Sequence, residues 1–214
     1  IAISPSLWYD GEALVAQTEA GIRAQSAPPA LFLSWADNEE NIRVSTEKLV
    51  KALTRKPPPG LRWTHRYYPG DDHMSTPHRA LYDGLEWLFS GWRMPEPKKD
   101  SPAPSLAEVE AHYAGLSKRF GFPVAPTVAA LAGAAQGLVG QGKSEEALEV
   151  LRRNAREYPY LPGPQRAVGA ALEKLGRREE ALQAYEQALR LALEDDSPYG
   201  DPVVEYRAKV KDLR

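Results

Sequence analysis

Nine residues, Tyr67-Tyr-Pro-Gly-Asp-Asp-His-Met-Ser75, gather a histidine, two carboxylates and a serine between a strand-like run and an amphipathic helix. On such a loop His73 is placed to move protons, because an imidazole titrates near neutral pH and can both take a proton and return it. Pro69-Gly-Asp-Asp72 is equally an ordinary turn signal, which by itself asks for no chemistry. A second polar cluster, Asp37-Asn38-Glu39-Glu40, follows an earlier apolar run. Its carboxylates can orient a base, or they can cap the next helix and interact with its dipole. A rival use of the first cluster, with Asp71, Asp72, His73 and His78 as ligands of a divalent ion, matches no zinc spacing, so the reading assigns no metal and no cofactor. His65 within a strand and His78 in the first turn of a helix read as structural, and His112 on a later helix reads as a surface residue.

These residues need a scaffold, and the first 94 residues supply strand-like and helical runs in alternation. Ile1–Ser4, Leu31–Ser34 and Leu61–Tyr68 predict strands, and helices are predicted near Gly11–Ala24, from about Asn41 to Arg55 and from about Pro77 to Gly91. That order argues for a parallel sheet with helical crossovers. In the third strand Leu61, Trp63, His65 and Tyr67 share one face while Arg62, Thr64 and Arg66 share the other, as in a strand near an edge. Three strands are few for a doubly wound core. Ile1-Ala-Ile-Ser4 reads as the middle of a strand, so the N-terminus is expected to be a cut edge. Residues 95–104 hold prolines and charges that suit a linker.

Beyond that linker the pattern is helical and repeats. Gly142-Lys-Ser-Glu-Glu-Ala-Leu148 matches Gly176-Arg-Arg-Glu-Glu-Ala-Leu182 at an offset of 34 residues, the period of the tetratricopeptide repeat. Two repeats are expected at about 128–161 and 162–195, preceded by a helix that opens on the box Ser105-x-x-Glu108 and followed by a capping helix at Val203–Leu213. The second repeat carries Gly169, Tyr185 and Ala188 where the first has Ala135, Leu151 and Asn154. A groove lined by Gln136, Val139, Arg166, Glu173, Lys174 and several alanines offers no basic clamp for a peptide carboxylate.

The segments Ile3-Ser-Pro-Ser-Leu-Trp-Tyr-Asp10, Leu31-Phe-Leu-Ser-Trp-Ala-Asp-Asn-Glu-Glu40, Tyr68-Pro-Gly-Asp-Asp-His73 and Ala80-Leu-Tyr-Asp-Gly-Leu85 resemble, in order and spacing, the C-terminal part of an esterase family of α/β-hydrolases. That family includes ferric-enterobactin-type esterases and mycolyltransferases, and some bacterial members carry tetratricopeptide repeats behind the hydrolase domain. The resemblance covers residues 1–94. It implies that the three strands are the last of an eight-stranded sheet, that His73 is the catalytic base, and that the orienting acid follows the penultimate strand. By spacing Glu39 is the first candidate for that acid and Asp37 the second, although some relatives work with a Ser-His pair and no close acid. Ser6 and Trp8 would lie beyond the carboxyl end of the first strand, where open sheets place their sites. Trp8 would then wall the acyl or alcohol group, or else pack in the core. No G-x-S-x-G turn occurs in the chain, so the nucleophilic serine and the oxyanion-hole amides are expected upstream of Ile1.

The expected fold class is therefore the C-terminal half of an α/β-hydrolase (1–94), a linker (95–104) and an all-α tetratricopeptide-like helical domain (105–214). The expected function is that of one part of a serine carboxylic-ester hydrolase acting on a small-molecule ester, inactive as this fragment alone. The alternative is a non-catalytic module that binds a protein through its repeats. With 27 basic and 29 acidic side chains among 214 residues, a net charge of −2 gives no field that would recruit nucleic acid or an anionic membrane surface. No apolar run approaches the ~20 residues of a membrane span. The absence of cysteine rules out disulfides and a thiol nucleophile. It leaves the compartment open, with a bacterial periplasmic or secreted location favoured over the cytoplasm and any signal peptide lying ahead of Ile1.

Overall fold

A computed structural model describes residues 1–21, 30–95, 102–194 and 202–214. The chain divides into two compact units, Ile1–Arg93 with Leu116–Pro123, and Met94–Gly115 with Val124–Arg214. In the first unit, β1 (Ala2–Ile3), an irregular 3₁₀ turn (Tyr9–Glu12), α1 (Ala13–Gly21), β2 (Ala30–Ala36), α2 (Glu40–Arg55), β3 (Arg62–Tyr68) and α3 (Thr76–Leu88) follow one another. The strands lie in the order β1-β2-β3 and both pairings are parallel, with Ala2 beside Leu33 and Ala30 beside Arg62. As the central strand, β2 is covered on both faces, which is why it reads as an apolar run broken only by Ser34. Its Leu33 packs with Leu49 and Leu53 of α2, and its neighbour Phe32, pointing the other way, packs with Tyr68 and with Ala80 of α3.

The polar face of β3 is used to hold α3. Arg62 donates to the carbonyls of Trp87 at 3.2 Å and Leu88 at 2.9 Å, and its guanidinium lies 4.0 Å from the centroid of the Trp87 ring. A cation on the last carbonyls of a helix satisfies groups that have no partner within it and complements the negative end of the helix dipole. Arg66 and the Tyr68 hydroxyl both donate to Asp83 on the same helix. On the opposite face the His65 ring stacks with Trp35 and Trp63 at centroid distances of 5.6 and 5.9 Å. His78 is exposed in the first turn of α3.

The second unit comprises most of α4 (Leu106–Phe120), then α5 (Val128–Gly140), α6 (Ser144–Glu157), α7 (Pro162–Lys174), α8 (Arg178–Glu194) and α9 (Pro202–Leu213). The box at the start of α4 forms: Ser105 donates from its backbone N–H to Glu108 at 2.8 Å, and the Glu108 N–H returns to the Ser105 hydroxyl at 3.3 Å. His112, read as a surface residue, is half-buried on this helix with its ring edge against Tyr113. Helices α5/α6 and α7/α8 are hairpins that begin at Val128 and Pro162, 34 residues apart, and each turns on a glycine at positive φ, Gly142 or Gly176. One core built from Leu131, Leu148, Leu151, Val168, Leu172 and Tyr185 runs through both hairpins. The hairpins differ where their sequences differ. A Cβ on Gly169 would lie 3.0 Å from the Tyr185 ring, so the large ring of the second hairpin requires the glycine, whereas Ala135 and Leu151 share the corresponding space in the first. Asn154, standing in for Ala188, donates to the Val128 carbonyl at 3.0 Å.

The expected fold class is corrected by this architecture. About 65% of the described residues are helical, nine α-helices against three strands, and β1 contributes only two residues to the sheet. The chain is mostly a helical protein carrying a small three-stranded parallel sheet, not a sheet-rich α/β-hydrolase half. The resemblance lay in segments of strand, loop and helix within residues 1–94, and it gave the sheet more weight than its sixteen or so residues bear. The predicted helix end at 22–24 and residues 96–101 of the predicted linker lie outside the described residues.

Gly169→Ala should lower the stability of the helical unit by roughly 1–3 kcal/mol, because the added methyl overpacks the Tyr185 ring. Thermal unfolding followed by circular dichroism should show a midpoint several degrees lower, and the double variant Gly169→Ala/Tyr185→Leu should recover part of the loss.

Candidate functional site

Three loops at the carboxyl ends of the three parallel strands meet at one carboxylate. Glu39, three residues beyond β2, is only 6% exposed. Its Oε2 accepts from the Ser4 hydroxyl at 2.9 Å and from the Ala36 N–H at 2.8 Å, and its Oε1 lies 2.6 Å from His73 Nδ1. Burial of an ionised carboxylate costs several kcal/mol unless its oxygens are satisfied, and here three donors meet them. Glu39 occupies the N-cap position of α2 without bonding that helix through its side chain. The capping role open to it in the sequence is not the one it takes.

His73 is the opposite case, with 63% of its side chain accessible. Its Nδ1 is held by Glu39, and among the described residues nothing engages Nε2. A carboxylate on one ring nitrogen fixes the tautomer that carries the proton there and leaves the other nitrogen a base facing outward. The loop bearing His73 is itself fastened. Asp72 Oδ1 accepts from the N–H groups of Met74 and Ser75, both at 2.9 Å, and the Ser75 hydroxyl receives the Asp72 N–H at 2.9 Å. Arg79 donates to Asp71 at 2.7 Å. The carboxylates of Asp71 and Asp72 are thus spent on the turn.

Asp37, the second acid candidate, does not reach the histidine. It accepts from the Tyr67 hydroxyl and, at 2.7 Å, from the Gly70 N–H, while its own N–H donates to the Asp71 carbonyl at 3.1 Å. It therefore clasps the His73 loop from below while Glu39 holds the ring. Asn38, between the two acids, sits at φ 59°, a left-handed conformation that asparagine tolerates and that turns the chain so the two carboxylates point to different places. Ser6 and Trp8 lie exposed on the loop after β1, at the same ends of the strands, where the Trp8 ring meets Tyr9 edge to face. No hydrogen bond among the described residues joins either of them to the Glu39–His73 pair. Sequence reasoning missed Ser4 and Tyr67, since a serine ending a strand and a tyrosine on an edge strand carry no signal of their partners.

Comparison with known proteins gives one family match and two structural likenesses. Residues 104–200 match the family model of the bacterial transcriptional activator domain. That model covers less than half of the chain, mostly in its helical unit. No curated protein matches the sequence. Among solved structures, an uncharacterised protein from Capnocytophaga ochracea is similar at a TM-score of 0.51 and 15% identity, over 99% of this chain and 59% of its own. An IroE-like serine hydrolase from Shewanella oneidensis is similar at a TM-score of 0.50 and 24% identity, over 73% of this chain and 50% of its own. At these identities the likeness is one of fold, and this chain spans only 59% and 50% of the two solved chains.

The clasp around His73 has a pH signature. The Tyr67 hydroxyl, then the Gly70 N–H, holds the Asp37 carboxyl below the usual carboxylate range, and the N–H groups of Ser75 and then Met74 do the same for Asp72. Groups whose folded pKa is depressed contribute fully above the unfolded value and lose that contribution as pH falls through the folded one. The Gly70 and Ser75 amides should therefore stay protected from hydrogen exchange down to about pH 4 and lose protection below it. Loss of both above about pH 5 would show that the carboxylates are not the fastening.

Proposed function

We propose that this chain supplies the histidine and the orienting acid of a serine carboxylic-ester hydrolase, with the nucleophilic serine contributed by polypeptide outside residues 1–214. The observation that carries the reading is the pairing of a buried, fully satisfied Glu39 with an exposed His73 at 2.6 Å. His73 Nε2 would take the serine proton as the oxygen attacks the ester carbonyl, and would return it to the departing alcohol. Water would then release the acyl group by the same base. Glu39 keeps the imidazole in the required tautomer. The similarity to an IroE-like serine hydrolase supports this reading, and the absence of a G-x-S-x-G turn in the sequence is why the nucleophile is assigned elsewhere. The substrate is a small-molecule ester, with Trp8 and Ser6 as candidate contacts.

A second reading belongs to the helical unit, which we infer to be a tetratricopeptide-like module that binds a protein partner. The match of residues 104–200 to the bacterial transcriptional activator domain supports a binding role for these helices. The charge pattern favours protein over DNA. Arg152, Arg153 and Arg177 are each tied to two glutamates, and Arg166 and Arg214 to one each, and with a net charge of −2 the chain's cations are opposed by as many acids, which weakens any pull on phosphates. Fluorescence anisotropy with duplex DNA at about 0.15 M salt should detect no binding tighter than the non-specific range of roughly 10⁻⁴–10⁻⁶ M.

In a polypeptide that includes the serine, His73→Ala and Glu39→Ala should each lower kcat by roughly 10²–10⁴-fold, and Asp37→Ala by clearly less, as a loop fastening rather than the acid. The 214-residue chain by itself should not be labelled on serine by a fluorophosphonate. Full turnover by the His73→Ala enzyme, or labelling of a serine in this chain, would overturn the reading.

A further inference from the structure

We propose that Ser4 is a positioning residue for the Glu39–His73 pair. Its catalytic consequence rests on the hydrolase reading, whereas its geometry does not. Ser4 follows the last residue of β1 and keeps the ladder, donating its N–H to the Ser34 carbonyl at 2.8 Å. There the chain turns: Ser4 sits at φ 45°, a left-handed conformation that a serine holds only when its surroundings impose it. The residue is 6% exposed, so its hydroxyl must find a partner inside the protein. It has one proton to donate and gives it to Glu39 Oε2 at 2.9 Å. The backbone N–H of Ala36 meets the same oxygen at 2.8 Å, so Oε2 is held from two strands at once and Oε1 is left for the histidine.

The division of labour between the two oxygens is the point. A carboxylate held at one oxygen by a single amide can still rotate about its last torsion, and a ring that is 63% accessible has little packing to keep it in place. Ser4 closes that freedom from a third loop. The backbone constraint at Ser4 and the left-handed Asn38 flank the same carboxylate, so two of the three loops turn through left-handed residues to bring their groups to it.

The test uses the 214-residue chain and NMR of the His73 Nδ1–H proton, identified by its disappearance in His73→Ala. Ser4→Ala removes the hydroxyl and keeps the constraint. Ser4→Gly removes the hydroxyl and relieves the constraint, so comparing the two variants separates the lost hydrogen bond from the backbone strain. Both variants should exchange this proton with water about tenfold faster or more, the loss expected for one hydrogen bond to a charged group, with thermal midpoints that need not move together. In a serine-bearing polypeptide both should lower kcat about tenfold with KM unchanged. An unchanged exchange rate in the folded Ser4→Gly protein would overturn the proposal, whatever the enzyme does. Faster exchange in both variants would uphold it even if no longer polypeptide hydrolyses esters, an outcome that would remove the hydrolase reading alone.

Discussion

The site depends on keeping one carboxylate out of water. Glu39 is buried, and a charge in that position is tolerated only because the Ser4 hydroxyl, the Ala36 amide and His73 meet its oxygens together. Each of these donors comes from or beyond the carboxyl end of a different strand or from the strand end itself, so the parallel pairing of β1, β2 and β3 is what brings them to one place. The rest of the first unit maintains that pairing. Helix α2 packs on one face through Leu49 and Leu53, helix α3 packs on the other through Ala80, and Arg62 and Arg66 tie α3 to the edge strand. A strand slipped by one residue would turn Phe32 and Leu33 to each other's faces and would move the loops relative to the carboxylate.

The two acids after β2 show how a short segment takes on two tasks. Asp37 and Glu39 are two residues apart, and a left-handed Asn38 between them sends one carboxylate to the loop of His73 and the other to its ring. Both tasks serve the same histidine. One sets where the backbone of residues 70–73 runs, and the other sets which nitrogen carries the proton.

Much of this was legible in the sequence, and the exceptions have physical reasons. The 34-residue spacing and the turn glycines mark the hairpins because a helix pair of fixed length must turn at a fixed place, and only glycine enters the left-handed region there at no cost. His73 was singled out by the family resemblance, and within that resemblance spacing put Glu39 first as its partner. Which of the two acids faces inward was less secure, since the backbone angle at Asn38 decides it and composition does not reveal an angle. Ser4 was not found at all: its role arises from a tertiary contact 35 residues away in sequence. The fold class failed for a different reason. A resemblance confined to the first 94 residues led the chain to be classed by the last three strands of a large sheet, while the helical content lies throughout the chain.

The close fit of Gly169 to the Tyr185 ring has a consequence for how such helical pairs diverge. Neither position can change freely while the other stays as it is, because a larger residue at 169 meets the ring and a smaller residue at 185 leaves a void beneath it. The two hairpins, though alike in length and turn, are therefore not exchangeable parts. A helix grafted from the first into the second would carry Ala135 or Leu151 to face a neighbour shaped for something else, so substitutions across this seam must be inherited as pairs.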